Sequence, residues 1–214
     1  MKIEALHDFH DPEFSQAWAD RFTPNPDRTR LFQDIQEQIA PLISNENPIL
    51  ELGIGPGYLA VFLLEQLTEM RYVGLDFSQA MLDIAQKRTR KYSERIAFCQ
   101  VDLVKENWPK KLSNRPAAIV STWALHDLFK AQNILKVYRD AYGCLAEGGV
   151  LLNGDFIKPE ESDFEYEGGR IKPSEQLVLL QKAGFSKVEC LAEYEKSVDN
   201  PTTANNYALF KAVK

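Results

Sequence analysis

Three glycines at alternate positions give the strongest chemical signal in this sequence of 214 residues. Gly53, Gly55 and Gly57 stand in the run ELGIGPG, residues 51–57, directly after a short apolar stretch. Glycine is needed where a chain turns tightly and where a ligand lies against the backbone. One glycine would also suit a plain connecting turn, but three at this spacing predict a turn that binds a ligand.

Acidic residues accompany these glycines. Glu51 precedes the first of them by two positions, and Asp76 ends the next strand-like stretch. An acid at the end of that second strand can accept hydrogen bonds from ribose hydroxyls. Glu51 suits a ligand with a cationic amine better than it suits a pyrophosphate. The dinucleotide fingerprint GxGxxG would need its third glycine at Tyr58, which argues against a nicotinamide dehydrogenase.

His126 is the candidate catalytic residue, because it is the sole histidine beyond the first eleven residues. An imidazole titrates near neutral pH and can take a proton from a hydroxyl or amine nucleophile. Asp127 adjoins it in sequence, although neighbours on a helix face different ways and need not touch. A role as a cap or as a packed core histidine stays open as the alternative.

Strand patterns and helix patterns alternate from Pro48 onward, and this alternation must position the residues above. It indicates an α/β fold in which a mostly parallel sheet carries helices on both faces. The last two strands have no room for a crossover helix between them, so we expect an antiparallel C-terminal hairpin. Ser78 and Ser174 are the predicted N-caps of two helices. The predicted strands are 49–52, 72–76, 96–101, 117–121, one from 150, 188–194 and 207–213.

From about Arg30 to its C-terminus the chain resembles the class I S-adenosylmethionine-dependent methyltransferases. Residues 51–57 match the family's first motif, which wraps the methionine part of the cofactor. The resemblance implies a Rossmann-like seven-stranded sheet and S-adenosyl-L-methionine as the cofactor. It assigns the ribose to Asp76 and the adenine to Asp102 and the backbone of Leu103. The implied cofactor-binding residues are Glu51, Gly53, Gly55, Gly57, Asp76, Phe77, Met81, Asp102, Leu103 and Ser121, with Phe77 and Met81 flanking the adenine.

The acceptor side is expected to come from three segments. Residues 1–29 form a predicted helical arm or lid, whose aromatic stripe around Trp18 either lines the acceptor pocket or packs in the core, and residues 30–214 form the methyltransferase domain. Trp123 follows the fourth strand and Asp155 ends the fifth, so both are candidate substrate-binding residues. The acid-rich stretch 158–170 is either a solvated loop or a lid edge that favours a cationic or amine substrate.

Several function classes are disfavoured by composition and motif. A formal net charge of −6 argues against a general grip on nucleic acid, and no apolar run is long enough to span a membrane. The segment after the fourth strand lacks the (N/D)PP(Y/F) sequence of enzymes that methylate nucleobase or glutamine amines. The acids of a magnesium-dependent catechol methyltransferase are also missing, so no metal is expected. Three widely spaced cysteines, Cys99, Cys144 and Cys190, suit reduced thiols in the cytoplasm.

The sequence therefore predicts methyl transfer to a small-molecule acceptor through an oxygen or nitrogen nucleophile. One alternative is a protein that binds S-adenosylmethionine without turnover, in a regulatory or structural role. A nicotinamide dehydrogenase is the third and weakest interpretation. The identity of the acceptor and the oligomeric state are left open by the sequence.

Overall fold

The computed structural model describes residues 8–44 and 46–214, and in this part of the chain seven strands form one sheet in the order β3-β2-β1-β4-β5-β7-β6. Strands β1 to β5 pair in parallel, whereas β7 runs antiparallel to both β5 and β6. This confirms the predicted fold class, including the antiparallel C-terminal strands. The strands are β1 (Ile49–Leu52), β2 (Tyr72–Asp76), β3 (Ile96–Gln100), β4 (Ala118–Thr122), β5 (Val150–Phe156), β6 (Lys187–Tyr194) and β7 (Tyr207–Val213).

Helices cover both faces of the sheet. One apolar cluster joins a face of the sheet to α2, α3 and α4, and a second cluster joins the other face to α5 and α6. Strand β1 is buried along its whole length, as expected for a central parallel strand with helices on both sides. The helices are α1 (Pro12–Arg21), α2 (Pro26–Ile39), α3 (Tyr58–Gln66), α4 (Gln79–Arg88), α5 (Ala131–Cys144) and α6 (Pro173–Ala183).

Two helix starts show how local residues set the boundaries. Ser78 is the N-cap of α4 as predicted, because its hydroxyl accepts a hydrogen bond from the Met81 N–H at 3.1 Å. The prediction that Ser174 caps α6 is wrong, since Lys172 is the N-cap and the helix begins at Pro173. Proline has no N–H to lose at the first helical position, so it favours this earlier start.

The predicted N-terminal arm, residues 1–29, includes α1 and the start of α2. The predicted boundary between residues 29 and 30 falls inside α2, and Leu31 and Ile35 of that helix lie in the main core. Helix α1 comes before this core helix and packs on α4. Residues 1–7 of the predicted arm lie outside the described residues. Within the ranges 8–44 and 46–214, no helix combines the length and the apolar character that crossing a membrane requires.

Candidate active site

The glycine turn follows β1 and faces open space at the carboxyl ends of the strands. Gly53 and Gly55 have φ angles of +69° and +50°, which favour glycine. A side chain at Gly53 would bring its Cβ to 2.4 Å from the Cβ of Ala124, so packing excludes it. A Cβ at Gly55 would meet no atom of the described residues within 4 Å. Gly55 therefore borders open space that a ligand can fill. We call this space beside Gly55 the cradle.

Asp76 closes one side of this cradle. Its carboxylate accepts hydrogen bonds from the backbone N–H groups of Gly55 at 2.8 Å and of Ser78 at 2.9 Å. Burial raises the pKa of Asp76 to about 6, although these bonds oppose the shift. The side chain of Phe77, next in sequence, stays 43% exposed. A buried acceptor and an exposed aromatic ring beside an open glycine turn suit the ribose and the adenine of an adenosyl group.

Two of the predicted cofactor residues hold neighbouring strands together. The Tyr72 hydroxyl donates to the Glu51 carboxylate at 2.8 Å, and burial raises the pKa of Glu51 well above its usual range. The Ser121 hydroxyl donates to the Leu52 carbonyl at 2.9 Å. Contact of Glu51 and Ser121 with the cofactor therefore stays a prediction, and their visible contacts lie within the sheet.

Asp102 organises the turn after β3. Its carboxylate accepts hydrogen bonds from the N–H groups of Val104 and Lys105, each at 2.9 Å, and pairs with the Lys105 ammonium at 3.0 Å. Partial burial raises the pKa of Asp102, but these interactions outweigh it and the pKa is lowered. The carboxylate is thus held charged at the turn that contains Leu103, whose role in binding adenine also stays a prediction.

Helix α1 packs on α4, next to the cradle. Met81 is buried against Ala19 of α1 with Trp18 packed beside them. The Trp18 ring lies 4.6 Å from that of Phe22, and the Phe77 ring contacts Phe9 and His10. Trp18 thus packs among residues of α1 and α4, and its predicted contact with the acceptor stays a prediction.

His126 and Asp155 form a buried pair at the ends of β4 and β5. His126 Nδ1 lies 2.7 Å from one carboxylate oxygen of Asp155, and the His126 backbone N–H donates to the other at 2.9 Å. His126 Nε2 lies 3.4 Å from an oxygen of Asp127. Both Asp155 oxygens thus engage His126, one through the ring and one through the backbone, and direct contact of Asp155 with a substrate stays a prediction. The sequence places the two residues at the ends of consecutive predicted strands, but it does not pair them.

The charge balance around His126 favours its protonated form. Burial lowers its pKa, but the charge and hydrogen bond of Asp155, together with the charge of Asp127, outweigh burial, and the pKa is raised. In the neutral form, an Nδ1–H donated to Asp155 leaves the Nε2 lone pair as the basic site. The pair can therefore accept a proton at Nε2 and stabilise the resulting cation.

Aromatic rings extend from His126 to Trp123. The Phe156 ring lies 5.1 Å from the His126 ring, and the Tyr207 ring lies 6.2 Å from Phe156 and 5.4 Å from Trp123. Trp123 has a φ of +48°, an uncommon conformation for a bulky residue. The contacts along this row are edge-on, and Phe156 and Tyr207 are buried, so these rings belong to the core behind the His126 segment. Phe156 and Tyr207 carry no sequence signal that separates them from other core aromatics.

The loop 158–170 packs onto the His126 segment. A Cβ on Gly169 would come within 1.6 Å of the His126 carbonyl oxygen, and the Arg170 guanidinium lies 4.2 Å from the Phe156 ring. Three of its acids have partners within the protein, because Glu160 accepts from the Ser174 N–H, Glu161 pairs with Lys196, and Glu167 pairs with Arg170. These contacts fasten the loop, so its acid content does not by itself select a cationic substrate.

Comparisons with known proteins indicate a methyltransferase domain. A family model described as "Methyltransferase domain" matches residues 49–149. The chain is 26% identical over 168 residues to carboxy-S-adenosyl-L-methionine synthase of Campylobacter lari, covering 73% of this chain and 64% of that protein. It is 23% identical over 151 residues to the tRNA N(3)-methylcytidine methyltransferase Mettl2 of Drosophila melanogaster, covering 67% of this chain and 46% of that protein.

A solved structure covers nearly the whole chain. The magnesium protoporphyrin IX methyltransferase of Synechocystis PCC 6803, determined with bound S-adenosylmethionine, superposes with a TM-score of 0.67 at 16% identity, covering 96% of this chain and 93% of that one. Likeness at this identity establishes the fold. Against the two sequence relatives above, the chain spans less than two thirds of their length.

Proposed function

We propose that this chain, whose residues 49–149 match a methyltransferase domain, is a class I S-adenosylmethionine-dependent methyltransferase that transfers a methyl group to an oxygen or nitrogen nucleophile of a small-molecule acceptor. One observation carries the proposal. The cradle at Gly55 and the His126–Asp155 pair are joined by direct packing, because Gly53 lies against Ala124, two residues before His126. A protein that only bound the cofactor would not need a buried base beside the cradle.

The residues of the cradle fit S-adenosylmethionine. Gly55 leaves room against the backbone, the Asp76 carboxylate can accept from ribose hydroxyls, and the Phe77 ring is exposed for the adenine. When bound, the cofactor supplies a methyl group already activated on a sulfonium, so proximity and in-line orientation carry much of the catalysis. The protein's own task is therefore to orient the acceptor and to take up its proton.

His126 performs the proton transfer in this proposal. Its Nε2 accepts the proton that an acceptor hydroxyl or amine loses when its lone pair attacks the methyl carbon. Asp155 holds the Nδ1–H tautomer, orients the ring through its second hydrogen bond and stabilises the imidazolium. The Phe156 ring meets the His126 ring edge-on at 5.1 Å and helps to hold the imidazole in place.

A small-molecule acceptor is favoured over nucleic acid by charge. The formal net charge is −6, and a nucleic-acid substrate would call for clustered Lys and Arg along the entrance. The tRNA methyltransferase among the relatives makes tRNA the competing acceptor class. A filter assay with methyl-labelled cofactor and total tRNA, beside a protein-free metabolite extract, separates the two classes.

The decisive experiment measures turnover. The protein is incubated with methyl-labelled S-adenosylmethionine and a metabolite extract, and labelled products are sought by mass spectrometry. We expect a labelled metabolite from the wild type and a loss of about 10²–10⁴-fold in rate for His126→Ala, with cofactor affinity in calorimetry nearly unchanged. Tight cofactor binding without labelled product from any pool would instead support the protein that binds without turnover.

A further inference from the structure

Phe129 combines an exposed ring with a strained backbone. It ends the short helical turn Leu125–Leu128, which contains His126, and its side chain is 53% exposed. Its φ of +58° and ψ of −22° are unusual for a bulky residue, because the Cβ atom then crowds the backbone carbonyl. The exposed apolar ring and the strained backbone both cost free energy. A residue with two such costs points to a function that needs it.

Close packing holds Phe129 in this conformation. A Cβ on Gly168 would come within 2.4 Å of the Phe129 carbonyl oxygen, just as Gly169 packs on the carbonyl oxygen of His126. The Phe129 N–H also donates to that His126 carbonyl at 3.1 Å. Backbone strain persists only where the surroundings fix it. The candidate base and the exposed ring thus belong to one tightly packed segment.

A second exposed ring lies on the loop that packs on this segment. Phe164 of the loop 158–170 is 50% exposed, and its backbone N–H donates to the hydroxyl of the buried Ser162 at 3.3 Å. Among the residues that the structure describes, the exposed large apolar side chains are Phe77, Phe129, Phe164 and Val178. Phe77 borders the cradle, and Val178 lies on α6. The other two belong to the two segments that pack together beside His126.

We propose that Phe129 and Phe164 bind an apolar ring of the methyl acceptor. Exposed aromatic side chains attract flat apolar groups, and the contact removes apolar surface from water on both sides. The acceptor is then an apolar, ring-containing small molecule whose hydroxyl or amine reaches the imidazole of His126 while its ring lies against Phe129. This inference rests on the function proposed above and names its acceptor class.

The test divides a protein-free metabolite extract by reversed-phase chromatography into a retained, apolar pool and an unretained, polar pool. Each pool is incubated with the protein and methyl-labelled S-adenosylmethionine, and products are identified by mass spectrometry. We expect the wild type to label a compound of the retained pool. In Phe129→Asn the rate with a dilute retained pool should fall roughly tenfold to a hundredfold. The loss should shrink as the pool is concentrated, because a ring that only holds the acceptor changes KM rather than kcat.

The variants are matched to the backbone and to the exposed surface. Asparagine adopts a positive φ more readily than phenylalanine does, so Phe129→Asn should bind S-adenosylhomocysteine as the wild type does and melt within about 4 °C of it. Phe129→Tyr keeps the ring and should keep the rate, whereas Phe164→Ala should lower it as Phe129→Asn does. Val178→Ala removes exposed apolar surface on α6 and should change neither rate nor affinity.

The outcomes separate the two claims. No labelled product from either pool overturns the proposed function and this inference with it. Label confined to the unretained pool leaves methyl transfer standing and overturns the apolar acceptor. A wild-type rate of Phe129→Asn with the dilute retained pool, or a melting temperature lowered by more than about 4 °C, also overturns the inference, since the ring would then be idle or structural. An unchanged rate in Phe164→Ala removes Phe164 from the acceptor site.

Discussion

Two opposing effects determine the pKa of His126. Burial lowers it, and the nearby carboxylates of Asp155 and Asp127 raise it. Its pKa is raised in the folded protein, so the folded state binds this proton more tightly than the unfolded chain does. The stabilisation is complete below the unfolded pKa of about 6.5 and is lost as pH rises through the higher folded value. His126→Asn should therefore lower the melting temperature more at pH 6 than at pH 8.5. An equal loss at both values would contradict a charged His126–Asp155 pair.

The same balance predicts the pH dependence of the rate. If Nε2 is the base, kcat/KM should rise with pH through the raised pKa of His126 and then level off. Asp155→Asn removes the charge that raises this pKa and leaves burial, which lowers it, so the inflection should move to lower pH while the plateau falls. Asp140→Asn, which breaks an ion pair with Lys136 on α5, is the control and should shift neither. An inflection that stays in place in Asp155→Asn would assign the titration to another group.

Asp76 should make cofactor binding depend on pH. Because burial raises its pKa to about 6, the carboxylate becomes protonated under mildly acidic conditions and loses acceptor capacity for ribose hydroxyls. Affinity for S-adenosylhomocysteine should fall as pH drops below this value. Asp76→Ala should lose affinity roughly tenfold to a hundredfold at pH 7.5 and no longer respond to pH in that range. Calorimetry across pH 5–8 measures both, and unchanged affinity in the variant would remove Asp76 from the ribose site.

The two glycines of the turn should respond differently to the same substitution. Gly55→Ala puts a methyl group into the open cradle, so it should weaken S-adenosylhomocysteine binding and cost only about 1–3 kcal/mol of backbone strain. Gly53→Ala meets Ala124 at 2.4 Å, which forces the His126 segment to shift and should lower the melting temperature further. Thermal unfolding with and without ligand distinguishes the two effects. A Gly55→Ala variant that binds as the wild type does would show that the cradle lies elsewhere.

At the scale of elements, the contacts of α1 support the residues around the glycine turn, and its part in the acceptor pocket stays a prediction. The helix packs on α4, the Tyr58 hydroxyl donates to the Ala19 carbonyl at 2.7 Å, and the Ser78 hydroxyl donates to the Phe9 carbonyl. Deleting residues 1–22 should therefore lower the melting temperature and weaken S-adenosylhomocysteine binding, beyond the loss of acceptor turnover that the sequence suggested. Retention of full cofactor affinity by the truncated protein would show that α1 does not support the cradle.

At the scale of the whole molecule, the sheet and its helices could be predicted because their signals are local. Short apolar runs predict the strands, and apolar stripes between them predict the helices. The glycine run predicts the turn after β1, and the short gap before the last strand predicts its antiparallel pairing. The Ser174 cap failed for a local reason too, because Pro173 starts a helix readily. Boundaries are decided by such competition among neighbouring residues.

The site was less predictable, because its contacts join distant parts of the chain. Neither spacing nor composition pairs His126 with Asp155, or packs Gly168 on Phe129, since these contacts depend on how strands, helices and loops lie side by side. The sequence also left two interpretations of the acids in 158–170 open, because the partners of Glu160 and Glu161 lie in other parts of the chain.

The packing of Gly169 on the His126 carbonyl oxygen joins two stretches of the chain that are separate in sequence. The matched domain, residues 49–149, contains the cradle and His126, while Asp155, Phe156 and Gly169 come from the segment after it. The proposed site is thus assembled from two stretches of sequence, which meet at the His126–Asp155 hydrogen bonds and where Gly169 packs on the His126 carbonyl oxygen. A chimera that exchanged only the later segment with a relative would change the acceptor and retain the cofactor, provided that a glycine stands where Gly169 does. A bulkier residue at position 169 would clash with the His126 carbonyl oxygen. The two stretches could then not pack together, even if each folded well.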